Sequence, residues 1–150
     1  RREAWLAHVP KKQFLRGITK FPRSILSGED LEAILSIQKG EWEIWYNPDM
    51  IIYHKIPAIR LTREKLLLTV RGTGLARYYI RMLRLKPWQR PILLPCAWLN
   101  DVRKSVQFFL KHWQHLKTDD VLACEMEFLR ATVISPFYLF MYLLQRLASA

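Results

Sequence analysis

The residues best suited to chemistry are a glycine followed by two adjacent carboxylates, Gly28, Glu29 and Asp30. Their position predicts the start of a helix, and a helix N-terminus stabilises the anionic form of a carboxylate. An exposed carboxylate held there can accept a proton from a substrate hydroxyl, as a general base does. The structural alternative is that both acids only complement the helix dipole, the common role of acids in a first turn.

Two further kinds of side chain can serve the same chemistry. His54 comes just after a predicted strand and can return to the same cleft, although a lone histidine is more often structural than a ligand. Trp42 and Trp45 can stack on the face of a sugar, but the alternation of a strand is expected to point them to opposite sides. Packing is the alternative function of both tryptophans.

A helix and two strands are predicted to position these residues. Ser27 or Asp30 can cap a helix that Gly40 ends. Residues 42–46 are aromatic and β-branched, which favours a strand, and residues 50–53 predict a second short strand.

The chain after Leu61 is predicted to be helical. Its apolar residues follow a helical period, which Gly72 and Gly74 interrupt or weaken. The predicted helices cover residues 62–84, 98–116 and 119–147, and the prolines Pro87, Pro91 and Pro95 predict a loop between the first two.

The charge of the chain indicates an anionic partner. Its 150 residues hold 24 Lys and Arg against 13 Asp and Glu, a net charge of +11. Nine of the basic residues and one acid lie between Arg60 and Arg90. A solvated helix face and a surface for phosphates or lipid headgroups both account for this run. In the second interpretation, Arg77, Arg81 and Arg84 face anionic lipid headgroups.

Composition excludes two classes of protein. A chain that is 51% hydrophobic has enough apolar surface to fold, which excludes a disordered tail. Two cysteines, Cys96 and Cys124, cannot form a disulfide framework, so we expect a reducing compartment and two small buried side chains. The first residue is Arg1 and no leader is recognisable, from which we expect the chain to be a piece of a longer protein.

Residues 131–144 carry no charge and raise the question of a membrane. A spanning helix needs about 20 apolar residues, and this run is shorter and contains Pro136. A buried core helix is therefore the favoured interpretation, with a helix lying in the headgroup layer as the alternative.

Taken together, the Gly-Glu-Asp motif, the helix after it, Gly40, the aromatic segment and His54 resemble the C-terminal half of family 2 glycosyltransferases, inverting enzymes of the GT-A fold. From about residue 3 to about residue 140, the chain is also similar to cyanobacterial glycosyltransferases of hormogonium polysaccharide synthesis. The segments that carry this similarity are Gly28-Glu29-Asp30-Leu31-Glu32, Trp42-Glu43-Ile44-Trp45-Tyr46-Asn47-Pro48, His54-Lys55-Ile56-Pro57, Arg60-Leu61, Arg71-Gly72-Thr73-Gly74-Leu75, Ile80-Arg81-Met82-Leu83-Arg84 and Ser135-Pro136-Phe137-Tyr138.

The resemblance implies an α/β fold in two parts. Residues 1–60 would complete the acceptor side of a Rossmann-like GT-A catalytic domain, and residues 61–150 would form a mainly helical C-terminal region.

The resemblance also implies roles for individual residues. Asp30 matches the general base that deprotonates the acceptor hydroxyl, and Glu29 would shape the acceptor pocket. His54 matches a position that approaches the metal or the diphosphate. The substrate-binding set would be Gly28, Trp42, Trp45, Arg60, Arg63 and Arg71, with one of the three arginines on a diphosphate.

A hexosyltransferase of this kind would use a nucleotide sugar, a polysaccharide, glycolipid or polyprenyl-linked acceptor, and Mg²⁺ or Mn²⁺. The Asp-x-Asp motif that holds the metal in the family does not occur in these residues. We therefore expect a fragment that is inactive alone, without the donor-binding half and its metal. The expected location is the cytoplasm, at the inner face of the plasma membrane, with no nucleic acid as partner.

The alternative from another class is a basic helical module that binds anionic membrane or nucleic acid without catalysis. The two hypotheses differ in what they predict for the structure. In the enzyme, Glu29, Asp30 and His54 converge at one cleft beside an exposed sheet edge. In the binding module they scatter, and the arginines form the continuous feature.

Overall fold

The structure is a computed structural model that describes residues 2–11, 13–15 and 26–148. Within these residues, short 3-10 turns at Ala58–Leu61 and Pro87–Gln89 precede two of the long helices. The α-helices are α1 (Arg2–His8), α2 (Glu29–Lys39), α3 (Arg63–Arg84), α4 (Arg90–His112) and α5 (Asp120–Ala148).

The predicted α/β class is wrong. Helices make up 72% of the described residues, and these residues contain no strand. Residues 42–46 and 50–53, expected as strands, belong to an irregular segment that is exposed almost throughout. A strand needs a neighbouring strand to satisfy its N–H and C=O groups, and the described chain offers none to this segment. The fold of the described chain is all-α.

Helices α3 and α5 form the centre of the fold, with their closest contact through small residues. A Cβ on Gly74 would lie 2.7 Å from both the Cβ of Ala131 and the carbonyl oxygen of Phe128, so only glycine permits this approach. The two helices run in the same direction, because Arg63 and Asp120 meet at their first residues while Arg71 faces Glu127 further along. The break considered at Gly72 and Gly74 does not occur, since α3 is continuous.

Helix α4 packs antiparallel to α5 and starts earlier than predicted. The indole Nε1 of Trp98 donates to the carbonyl oxygen of Val133 at 2.9 Å, and its ring meets Phe137 edge-on. Pro91 and Pro95, expected in a loop, lie inside the helix. Pro91 is tolerated because the first N–H groups of a helix have no intrahelical partner.

Helix α5 is only half buried. Ala131, Ser135 and Leu139, four residues apart, are buried against the rest of the bundle. Large apolar side chains on its other faces, among them Phe137 and Phe140, are exposed. The expectation of a buried core helix is therefore wrong for that face. By length and composition alone, Asp120–Gln145 is the one stretch of the described residues that qualifies as a membrane-crossing helix.

Candidate functional site

Gly28 sets the direction in which the chain enters α2. Its φ of 121° is unfavourable for any residue with a side chain, and an added Cβ would lie 3.3 Å from Leu15. Its carbonyl oxygen accepts the first helical bond, from the N–H of Glu32. The glycine of the motif is thus a structural requirement of the turn that presents the two acids after it.

A buried carboxylate anchors this helix to the core. Glu32 is 3% exposed and accepts hydrogen bonds from the backbone N–H groups of Phe14 and Leu15, at 3.0 and 2.7 Å, and from the Tyr79 hydroxyl at 3.0 Å. These bonds join α2 to the chain before it and to α3. Because Glu32 lies two residues after Asp30, these three hydrogen bonds also fix the backbone that carries the candidate base.

The two acids of the motif stand in different surroundings. Asp30 is exposed on the first turn of α2. Glu29 is half-buried, and its backbone carbonyl accepts a hydrogen bond from the side chain of Gln13 at 3.1 Å. Asp30 is thus the more accessible of the two to a substrate.

An open groove of about 650 Å³ lies one helical turn beyond Asp30. Ile34, four residues after Asp30 and therefore on the same face of α2, is part of its wall. Helix α1, helix α2 and the irregular segment together form the wall, which consists of Ala4, Trp5, Ile34, Ile37, Glu41, Trp42, Glu43, Ile44 and Trp45.

Trp42 and Trp45 line the same groove, so the expectation that they point to opposite sides is wrong. Strand alternation does not apply, because the backbone there is irregular. The indole N–H of Trp45 donates to the carboxylate of Glu43 at 3.1 Å. Trp5 is a third aromatic wall residue, which sequence reasoning missed because only the packing of α1 beside α2 brings it there.

His54 does not join this site through any contact that the described residues show. It is exposed in the irregular segment and forms no hydrogen bond or ion pair with Asp30. The described part of the chain contains no cluster of three or more His, Cys, Asp or Glu side chains able to hold a metal ion. The divalent ion implied by the resemblance was expected mainly on the part of the enzyme outside this chain, so that ion and the metal role of His54 both stay predictions.

The three arginines assigned to substrate are placed differently from one another. Arg63 pairs with Asp120 and donates to the carbonyl oxygens of Leu116 and Lys117, which fixes the turn before α5. Arg71 lies 3.6 Å from Glu127. Arg60 is exposed on the turn before α3.

The three arginines of α3 expected to face lipid differ in their contacts. Arg81 forms a two-pronged ion pair with Asp101 of α4, a carboxylate that is 4% exposed. The guanidinium of Arg77 lies 5.4 Å from the ring centre of Phe128. Arg84 is exposed and forms no hydrogen bond or ion pair within the described residues. Arg81 thus contacts α4 and Arg77 contacts α5, whereas Arg84 contacts neither through a hydrogen bond or ion pair in the part of the chain that the structure describes.

Two pKa shifts accompany this packing. Burial, followed by the charge of Glu32 and the hydrogen bond to it, raises the pKa of the Tyr79 phenol, which therefore stays a donor to Glu32. Burial and the charge of Asp120 raise the pKa of the Cys124 thiol, an effect that Arg63 opposes. Cys124 is only partly buried and Cys96 is exposed, so the expectation of two buried side chains is wrong for Cys96.

No protein-family model, curated protein or solved structure matches this chain. The resemblance to family 2 glycosyltransferases therefore stays a prediction from the motif residues.

Proposed function

We propose that this chain supplies the acceptor side of an inverting hexosyltransferase that extends a polysaccharide or glycolipid, with Asp30 as the general base. One observation carries the proposal. An exposed carboxylate on a rigidly anchored first helical turn stands one turn from a groove lined by Trp5, Trp42 and Trp45. Aromatic faces are suited to packing against sugar rings, and a carboxylate one turn from the groove wall at Ile34 is proposed to reach a hydroxyl of a sugar bound there.

The proposed step is a single displacement. The acceptor oxygen forms a bond to the anomeric carbon of the donor while the bond from that carbon to the nucleoside diphosphate breaks, and the acceptor proton passes to Asp30. Attack opposite to the leaving group inverts the configuration. No described residue is given a metal-binding role in this step. In this proposal, the donor binds to the part of the enzyme outside this chain.

The assignment of the base is tested in the complete enzyme that contains this chain. Asp30→Asn keeps the size of the side chain and removes its basicity, so kcat for transfer from a panel of radiolabelled nucleotide sugars to a membrane extract falls about 100-fold or more. The matched control is Asp49→Asn, an exposed aspartate in the irregular segment, which leaves kcat unchanged. A kcat for Asp30→Asn within threefold of the wild type contradicts the assignment.

The groove is tested separately from catalysis. Trp42→Ala and Trp45→Ala remove the aromatic faces and raise KM for the acceptor by about tenfold each, the loss of about 1.4 kcal/mol of contact. Trp113→Ala, an exposed tryptophan after α4, is the control and leaves KM unchanged. If Trp42→Ala and Trp45→Ala have the same KM for the acceptor as Trp113→Ala, this groove is not the acceptor site.

Neither of the two hypotheses meets its own structural criterion within the described residues. A binding module was expected to present the arginines as one continuous feature. Instead Arg63, Arg71 and Arg81 face acidic residues of α4 or α5. The convergence expected for the enzyme is also incomplete, because no sheet edge and no contact with His54 accompany Asp30 in the described chain.

A further inference from the structure

One end of the helical bundle differs from the other in charge. The antiparallel contact of Trp98 with Val133 and Phe137 fixes the register of α4 on α5. Six residues of helix from this contact, about 9 Å along each axis, lead to Ile92 in α4 and to Leu143 in α5. The turn between α3 and α4 therefore lies at the same end as the last turns of α5. We call this the turn end, made of residues 84–93 and 140–147.

Large apolar side chains are exposed at the turn end. Trp88 is 71% exposed, Ile92 66% and Leu147 76%. Further exposed apolar residues of the same end are Leu93, Phe140, Met141, Leu143 and Leu144. Aromatic and aliphatic side chains clustered in this way mark surfaces that another apolar phase covers.

The charge at the turn end is entirely basic. Residues 65–100 and 128–150 contain no Asp or Glu, whereas Arg84 and Lys86 project from the turn and are exposed. The opposite end, around the start of α3 and the turn before α5, carries Glu64, Asp119 and Asp120. The end of α2 lies beside Arg84 and adds Lys39 to this region, with Glu41 two residues further along the chain. Exposed apolar groups with a mainly basic rim complement a bilayer surface with anionic headgroups, where tryptophan and basic side chains lie at the interface.

We propose that the turn end docks into the headgroup layer of an anionic membrane, with Trp88 and Ile92 inserted and with Arg84 and Lys86 on lipid phosphates. The mode is peripheral. Although Asp120–Gln145 is long enough to cross a bilayer, Ala131, Ser135 and Leu139 on one face of it are buried against the bundle, so only the last turns of α5 are assigned to one leaflet. This inference is independent of the transfer reaction. Together with the proposed function, docking at the turn end holds the groove near Asp30 beside a membrane-bound acceptor.

The first test is co-sedimentation of the chain with vesicles of phosphatidylcholine containing 30% phosphatidylglycerol, an anionic surface at which each nearby cation contributes about fivefold to partitioning. Arg84→Gln with Lys86→Gln lowers the partition coefficient by about 30-fold. The matched control is Lys111→Gln with Lys117→Gln, an equal loss of charge at the opposite end, which lowers it by less than threefold. Equal decreases in the two double variants overturn the proposal, because the attraction then depends on net charge alone.

The second test measures which end enters the lipid, using the native cysteines. Cys96 lies in α4 near the turn end, and Cys124 lies in α5 near the opposite end. A fluorophore on Cys96, in the Cys124→Ser background, is quenched by doxyl-labelled lipid when vesicles are added. The same fluorophore on Cys124, in the Cys96→Ser background, is not quenched.

Equal quenching at both cysteines overturns the proposal. So does the absence of binding to vesicles together with a concentration-dependent dimer in light scattering. The second outcome would assign the apolar residues to contact with another copy of the chain. Far-ultraviolet circular dichroism of each variant confirms that the helices are retained, so a loss of binding reports on the surface itself.

Discussion

The buried carboxylate of Glu32 yields the sharpest prediction of stability. Its two oxygens accept three hydrogen bonds, and the shortest, from the N–H of Leu15, is 2.7 Å. Glu32→Gln keeps the shape of the side chain but turns an amide NH₂ toward at least one of these donors. The variant therefore loses at least one charge-assisted bond, about 1.5–3 kcal/mol, and leaves a buried N–H without an acceptor, about 1–3 kcal/mol.

We expect Glu32→Gln to lower the free energy of unfolding by about 3 kcal/mol, or Tm by roughly 10 °C for a chain of this size. Tyr79→Phe removes one donor and costs about 1 kcal/mol. In a double-mutant cycle the two losses are not additive, because both variants disrupt the same hydrogen bond.

Urea unfolding followed by circular dichroism measures these differences. Glu125→Gln, an exposed glutamate of α5, is the control and stays within about 0.5 kcal/mol of the wild type. A Glu32→Gln variant as stable as that control would refute the idea that this carboxylate anchors α2.

Two further predictions concern the bundle. Asp101→Asn leaves the guanidinium of Arg81 without its charged partner and lowers the free energy of unfolding by about 3 kcal/mol in urea titrations. Asp120→Asn, in an exposed pair, lowers it by about 1 kcal/mol or less. Equal losses in the two variants would contradict the burial argument. The raised pKa of Tyr79 stabilises the folded state fully below pH about 10, and this stabilisation is lost as the pH rises through the folded pKa. Between pH 8 and pH 11, the free energy of unfolding therefore falls less for Tyr79→Phe than for the wild type. Identical decreases would count against the buried phenol.

Helices with complete local signals were predictable from the sequence. The prediction that α2 ends at Gly40 is confirmed, and α3 and α5 begin and end within about one residue of their predicted limits. Their apolar period and their terminal residues are properties of neighbouring residues, so no knowledge of the tertiary structure is needed. The start of α4 was missed because two prolines suggested a loop.

The strands were not predictable in the same way. Residues 42–46 have the composition of a strand, but a strand exists only where another strand accepts its hydrogen bonds. The described residues supply no such neighbour, and the same side chains instead form one wall of the groove. The placing of Trp42 and Trp45 on one side follows from that difference.

By itself the sequence determined which residues carry charge, where α2, α3 and α5 run, and that a glycine and two acids stand at the start of α2. Only the tertiary structure decided that Glu32 is a buried anchor, that Arg81 is neutralised by Asp101, and that Trp5 lines the same groove as Trp42. The reason is physical: helix formation depends on contacts within a few residues, whereas the partner of a charge or an aromatic ring is brought close by packing between distant parts of the chain.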